Sequence, residues 1–304
     1  MKIKCIIYMI KLIIFLCLTI VQSKVHMSKI DMELLIKHKM NATELSNQEL
    51  QWIANEEWNA ITQLCSNLDS GASISVSFDD SLIGTSTLAW AAMTTINLNK
   101  SWVSSLATQK FSSYDFIIGV NPQPPNGWYT KKACDDITYQ YDLRTVLKHE
   151  LLHGLGLGSS LRYSSFSGWR VGYADSYGFC HPRLFDTKIK DRNGNNIISG
   201  CNVLTNPQGI SLYVGGVQLY NPYSYAQGSS FSHHNYINEL MYYSLPWGLC
   251  LDMKENEIKM LHAVNVTCPN FENYEDIDFE NSSSKTLGSY WLLMVLILTL
   301  HRLL

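Results

Sequence analysis

Charge is scarce in this chain of 304 residues: Asp, Glu, Lys and Arg make up 16% of it, and 26 acidic side chains outnumber 23 basic ones. A chain with no basic excess offers no electrostatic footprint for nucleic acid or for anionic lipid. Long apolar runs are missing too. The two that stand out, Leu12 to Ile20 and Tyr290 to Leu300, fall short of the ~20 residues that a membrane-spanning helix needs. No segment repeats, so the architecture is not expected to be a stack of equivalent units.

What is present at the two ends has the form of processing signals. Lys2, Lys4 and Lys11 accompany the first apolar run, and Val21-Gln22-Ser23 follows it as a small-residue exit. Residues 1–23 are therefore expected to be a secretory signal peptide. Small residues from Asn281 to Ser284, a short polar spacer and the second apolar run predict a GPI-attachment signal over 282–304, in preference to a single-pass anchor. The expected product is a monomer at the outer face of the plasma membrane, touching the bilayer through its anchor, or shed from it. Removing both signals leaves 18 basic against 26 acidic side chains, a net charge of −8.

Six cysteines remain between the signals: Cys65, Cys134, Cys180, Cys201, Cys250 and Cys268. An even number in an exported chain predicts three disulfides, with the pairing left open. Asn-x-Ser/Thr sequons at Asn41, Asn99, Asn265 and Asn281 predict glycosylation on the same route.

The body reads as a succession of patterns. Within residues 24–68, Leu50, Ile53, Ala54, Trp58 and Ile61 recur at helical spacing, which predicts a helical N-terminal cap or short pro-segment. Beyond it SISVSF and TTINLN alternate, and YDFIIGV is a short apolar run stopped by NPQPPNG; these are strand signals. YDLRTVLKHELLHGLG then carries Leu143, Val146, Leu147, Leu151 and Leu155 on one helical face, with Gly154, Gly156 and Gly158 at its end. A stretch rich in Ser, Gly, Tyr and Asn predicts loops and short strands, and DMKENEIKMLHAV a closing helix. The expectation is an α+β domain over 69–270. A sheet-and-helix N-terminal lobe would face a largely irregular C-terminal lobe across a cleft, and an acidic stalk would occupy 271–281.

The chemistry is concentrated in KHELLHGLGLGSS, Lys148 to Ser160. On a helix, residues four apart share a face, so His149 and His153 can aim ring nitrogens at one ion. Glu150, a step round the helix, can reach a water beside that ion. A catalytic zinc needs a third protein ligand and one open position. A downstream glutamate cannot supply it nearby, because none occurs between Glu150 and Glu239, and the compact HExxHxxGxxH pattern is broken by Ser159. His181, Asp186, His233 and His234 remain.

The combination of HELLHGLG, a long insertion, GSSFSH and the tripeptide ELM resembles leishmanolysin-like zinc metalloproteases of the metzincin clan, over roughly residues 74–265. The resemblance implies a metzincin-like fold and one catalytic Zn2+ held by His149, His153 and His233, with His234 in reserve. It further implies a methionine turn at Met241, a sharp turn at Gly156, and Glu150 as general acid and base. Tyr243, two residues past the methionine, matches a tyrosine that stabilises the oxyanion in astacin-type relatives. His181 would be a surface or supporting residue, and Asp186 would order the loop around Asp191, Asn193 and Gly194. The implied activity is endopeptidase cleavage of protein or peptide substrates by a zinc-activated water. The alternative is a surface binding or adhesion protein that keeps the fold without cutting.

Overall fold

The computed structural model describes residues 45–65, 68, 72–93, 95–98, 101–104, 116–166, 168–174 and 180–271, with backbone alone over parts of 93–104 and 173–180. The expected signal peptide, the attachment signal, nearly all of the stalk and the sequons at Asn41, Asn99 and Asn281 lie outside the described residues.

The first element is helix α1, Asn47–Leu64. Its apolar residues return every three or four positions, so Leu50, Ile53, Ala54, Trp58, Ile61 and Leu64 all turn to the core. Ser46 starts it with a reciprocal cap. The Ser46 hydroxyl accepts the Glu49 N–H at 3.2 Å, and the Glu49 carboxylate accepts the Ser46 N–H at 2.8 Å. At the other end Cys65 forms a disulfide with Cys268, so the two ends of the described chain are tied together.

Five strands follow: β1 (Ile74–Phe78), β2 (Ala89–Met93), β3 (Thr95–Leu98), β4 (Ser101–Ser104) and β5 (Phe116–Val120). The apolar run of β5 makes it the centre of a sheet ordered β1-β5-β2. It pairs parallel with β1, Ile74 opposite Phe116, and antiparallel with β2, Ala89 opposite Val120. Strands β3 and β4 form a separate antiparallel pair. An open sheet edge invites unwanted pairing, and α1 covers one of them. The Gln51 side chain donates to Ile74 O and accepts from Val76 N, each at 2.9 Å, while Asn47 accepts from Phe78 N at 3.0 Å. Among the described residues β2 is left as the other edge of this sheet.

Two short parallel strands, β6 (Trp128–Tyr129) and β7 (Tyr141–Asp142), lead into helix α2, Leu143–Gly154. Asp142 caps α2 by accepting the Thr145 N–H at 2.9 Å and its hydroxyl at 2.6 Å. Leu143, Val146, Leu147, Leu151 and Leu152 are buried. The helix lies close against the sheet. A Cβ on Gly154 would come within 2.7 Å of the Phe116 ring, so a side chain there would push α2 off β5. Arg144 on α2 reaches Glu57 at 2.5 Å and Glu56 at 2.7 Å on α1, and Lys148 sits between Glu57 and Asp252.

The remainder is built from short pieces. Hairpins form at 162–170 and 198–203, a three-stranded sheet at 190–218, a one-turn helix α3 at Leu184–Thr187 and a closing helix α4 at Glu255–Ala263. A second disulfide joins Cys134 to Cys250, and Cys201 is disulfide-bonded as well. The chain is thus α+β, with α1 and α2 packed on each other and against a three-stranded sheet, followed in the chain by irregular segments. No helix among the described residues is long and apolar enough to cross a membrane.

The Arg144 cluster generates a direct test. Arg144→Ala leaves Glu57 buried with its main partner gone, so unfolding free energy should fall by about 3–5 kcal/mol. A denaturant midpoint measured at constant slope would detect the change.

Candidate metal centre

Helix periodicity alone puts His149 and His153 on the same side of α2, and both rings reach one point. The third ring arrives from a loop about 80 residues later. His149 Nε2 lies 3.0 Å from His233 Nε2, and His153 Nε2 lies 3.3 Å from the same atom. The rings of His149 and His233 are stacked at 5.0 Å, while His153 stands edge-on to both.

Each ring is oriented by its other nitrogen. His149 Nδ1 meets Leu240 O at 2.6 Å, His153 Nδ1 meets Leu157 O, and His233 Nδ1 meets Ser229 O at 2.9 Å. A carbonyl oxygen only accepts, so each Nδ1 must carry the proton and each Nε2 an unshared electron pair. The lone pairs of His149 and His153 therefore each face that of His233, at 3.0 and 3.3 Å, with no proton between them. That arrangement is repulsive unless a cation sits at the focus. Four-coordinate zinc with nitrogen ligands at ~2.0–2.1 Å separates those ligands by about 3.3–3.4 Å, close to the observed spacing. These three residues could hold a metal ion.

Electrostatics agree with neutral rings. Burial, together with the neighbouring imidazoles, pushes His149 well below its ordinary pKa; burial pushes His153 down to about 4 and His233 down to about 3. Glu150 is only 6% exposed, and burial drives its carboxyl up to about 8. Among the described residues no hydrogen bond or ion pair reaches that carboxyl. All four side chains line an open cleft of about 700 Å3. Residues 86–91, including the start of β2, form part of its wall, and Tyr242, Tyr243, Ser159 and Arg183 form others.

The loop that brings His233 is held in several ways. Ser232 Oγ accepts the Ser159 N–H at 3.1 Å, so the residue interrupting the compact motif is bonded to the neighbour of His233. Phe231 takes a left-handed backbone, φ 68°, and its buried ring packs on Trp169 and Tyr225. A bulky residue held in that conformation marks a loop fixed by its surroundings. Gly156 has φ 109°, a value open to glycine, and it turns the chain back after α2.

Other expected residues fall as follows. His234 points away from the cluster, with Nε2 2.8 Å from Glu257 and no place in the triad. His181 also stands outside the triad. Asp186 differs from expectation: it is fully buried and accepts from Ser159 Oγ at 2.6 Å and from Ser160 N and Arg183 N at 3.0 Å. It thus orders the turn after α2, whereas Asp191 closes its own loop by accepting from Asn193 N and Asn195 N. The reason is burial, since a carboxylate inside the protein must find donors there. Met241 is buried in a tight turn closed by Tyr242 N to Glu239 O at 3.1 Å. Tyr243 stacks on Tyr220 with centroids 3.7 Å apart; burial, with Tyr243 beside it, raises the pKa of Tyr220, and a hydrogen bond shared with Tyr243 raises that of Tyr242. Asn265, the one sequon asparagine among the described residues, is exposed. Sequence reasoning missed the carbonyls of Leu157, Ser229 and Leu240, because a backbone group has no signature in the sequence. It also missed Ser232 and Glu257.

Comparison with known proteins adds no relative: the chain matches no family model, no curated protein and no solved structure.

Two outcomes are expected. His233→Ala should abolish binding of one equivalent of metal, while His181→Ala should retain it; elemental analysis after dialysis distinguishes them. In metal-free protein the folded state keeps the Glu150 proton up to about pH 8, whereas the unfolded chain loses it near 4.5. Between those values the folded state binds more protons, so stability falls as pH rises. The histidines act oppositely: unfolded rings protonate near 6.5 and folded ones only near 3–4, so stability also falls below pH 6.5. Glu150→Gln should remove the loss towards pH 8 and leave the acid-side loss, as read from melting temperature against pH.

Proposed function

We propose that this chain is a zinc-dependent endopeptidase of the metzincin type. The observation that carries the reading is the convergence of three unprotonated Nε2 atoms beside a buried, unpartnered carboxyl in an open cleft. A structural zinc is closed by four protein ligands, whereas three histidines with cleft beside them leave the open position that hydrolysis needs.

A zinc ion held by the three imidazoles supplies a Lewis acid for a peptide carbonyl oxygen and brings the pKa of a water towards ~7. The chain's own residues do the rest. His149, His153 and His233 contribute no negative charge, so the full charge of the ion remains effective. Beside the ion's charge the Glu150 carboxyl would return towards its ionised form, and Glu150 would then take the proton of the attacking water and return it to the leaving amine. Its carboxyl is free for that task because nothing in the described protein competes for it. An extended peptide can lie along β2, whose outer backbone groups have no strand partner among the described residues, and so pair as an added strand across the cleft.

The disulfides at Cys65–Cys268 and Cys134–Cys250 support passage through an oxidising compartment. They agree with the proposal that the enzyme acts outside the cell, attached to its surface.

Incubation of the purified ectodomain with a mixed peptide library should give cleavage that is lost with a chelator and lost in Glu150→Ala. Zinc binding without cleavage would instead identify a binding protein on the same scaffold. Tyr243→Phe should slow turnover several-fold with zinc content unchanged, and equal turnover would remove Tyr243 from the chemistry.

A further inference from the structure

The segment from His233 to Met241 supplies two separate parts of the metal centre: the third ring, and through Leu240 O the acceptor that orients His149. Both ends of that segment meet a single side chain. Glu257, in the first turn of α4, is fully buried. Its Oε1 accepts the Met241 N–H at 3.0 Å and the Nε2 proton of His234 at 2.8 Å. Its Oε2 accepts the Lys254 N–H at 2.9 Å, at the start of the helix. His234 donates its backbone N–H to Met241 O at 3.0 Å, closing the segment on itself.

The tautomer of His234 follows from its other contact. Tyr236 N donates to His234 Nδ1 at 3.3 Å, so the ring proton is on Nε2 and points at Glu257. Beside this pair, Glu239 accepts from Asn256 Nδ2 at 2.8 Å, a second link between the segment and α4. The cluster of His234, Glu239 and Glu257 has the composition of a metal site, but its donors and acceptors are already matched. The His234 to Glu257 separation is that of a hydrogen bond, and both Glu257 oxygens have N–H partners.

Among the described residues no lysine or arginine pairs with Glu257, and a buried carboxylate without one is costly unless several donors surround it. An apolar residue at this place would pack at lower cost. What the carboxylate adds is direction: one group fixes Met241, hence the neighbouring Leu240 carbonyl, and also His234, hence the neighbouring His233. We propose that Glu257 is a positioning residue that sets the third metal ligand and the partner of the first ligand together. This rests on the metal centre described above, and it assigns to α4 a part in metal affinity although α4 contributes no ligand.

The test compares zinc affinity, by chelator competition, with the melting temperature of the metal-free protein. Removing a group that orients metal ligands costs ~10–100-fold in affinity, so Glu257→Ala should weaken zinc by that range. Glu257→Gln keeps one acceptor oxygen and should lose less, and it serves if the alanine variant does not fold. Leu50→Ala, a core truncation in α1 remote from the loop, is the control: it should lower the melting temperature with zinc affinity unchanged. Cobalt-loaded protein should show an altered ligand-field spectrum in the Glu257 variants alone. Unchanged affinity and spectrum in both Glu257 variants, with only the melting temperature reduced, would overturn the proposal and leave the metal centre standing. Failure of the wild-type protein to bind zinc would overturn the centre itself, and this inference with it.

Discussion

Three imidazoles that have each committed a proton to a backbone carbonyl cannot sit with their free nitrogens together unless something positive lies between them. That constraint organises the molecule around α2. The helix supplies two rings by its own periodicity and is pinned from every side. Asp142 caps its start, Arg144 and Lys148 tie it to α1, Phe116 packs against Gly154, and Gly156 turns the chain away just beyond His153. A rigid helix makes the first two rings a fixed pair, so bringing the third to them falls to one loop.

That loop has little regular structure of its own, and it is held by polar contacts. Ser232 joins it to Ser159, the buried Phe231 anchors its entry, and His234 and Met241 close its far side on Glu257. Irregular backbone inside a protein needs a partner for each N–H and C=O. In this loop those partners also aim the rings. Stability and the arrangement of the three rings therefore depend on the same hydrogen bonds. Glu150 differs: no donor among the described residues meets its carboxyl, and burial pushes its pKa up to about 8, a kind of perturbation that clusters at functional sites.

Much of this was legible beforehand. The helix over 143–154 follows from its apolar spacing and from the glycines at its end, and the strand 116–120 follows from an apolar run stopped by prolines and glycine. The turn at Gly156 needed only a glycine just past a helix end. Asp186 was misread because burial, invisible in sequence, decides whether an acid orders its own loop or a distant one. The choice of His233 over His234 rested on resemblance, since two adjacent histidines are equivalent in a sequence and point in opposite directions in an extended chain.

The sequence by itself determined that His149 and His153 face the same way and that Glu150 lies beside them, because helical geometry is local and repeats every 3.6 residues. It also determined that an apolar strand ends at NPQPPNG, whereas its central place in the sheet came from the structure. Only the tertiary structure decided that the third nitrogen comes from 84 positions beyond the first, which cysteines pair, and which carbonyls hold the rings. Those contacts join segments far apart in the chain, and their energies depend on burial and direction, quantities that exist only once the chain has closed on itself.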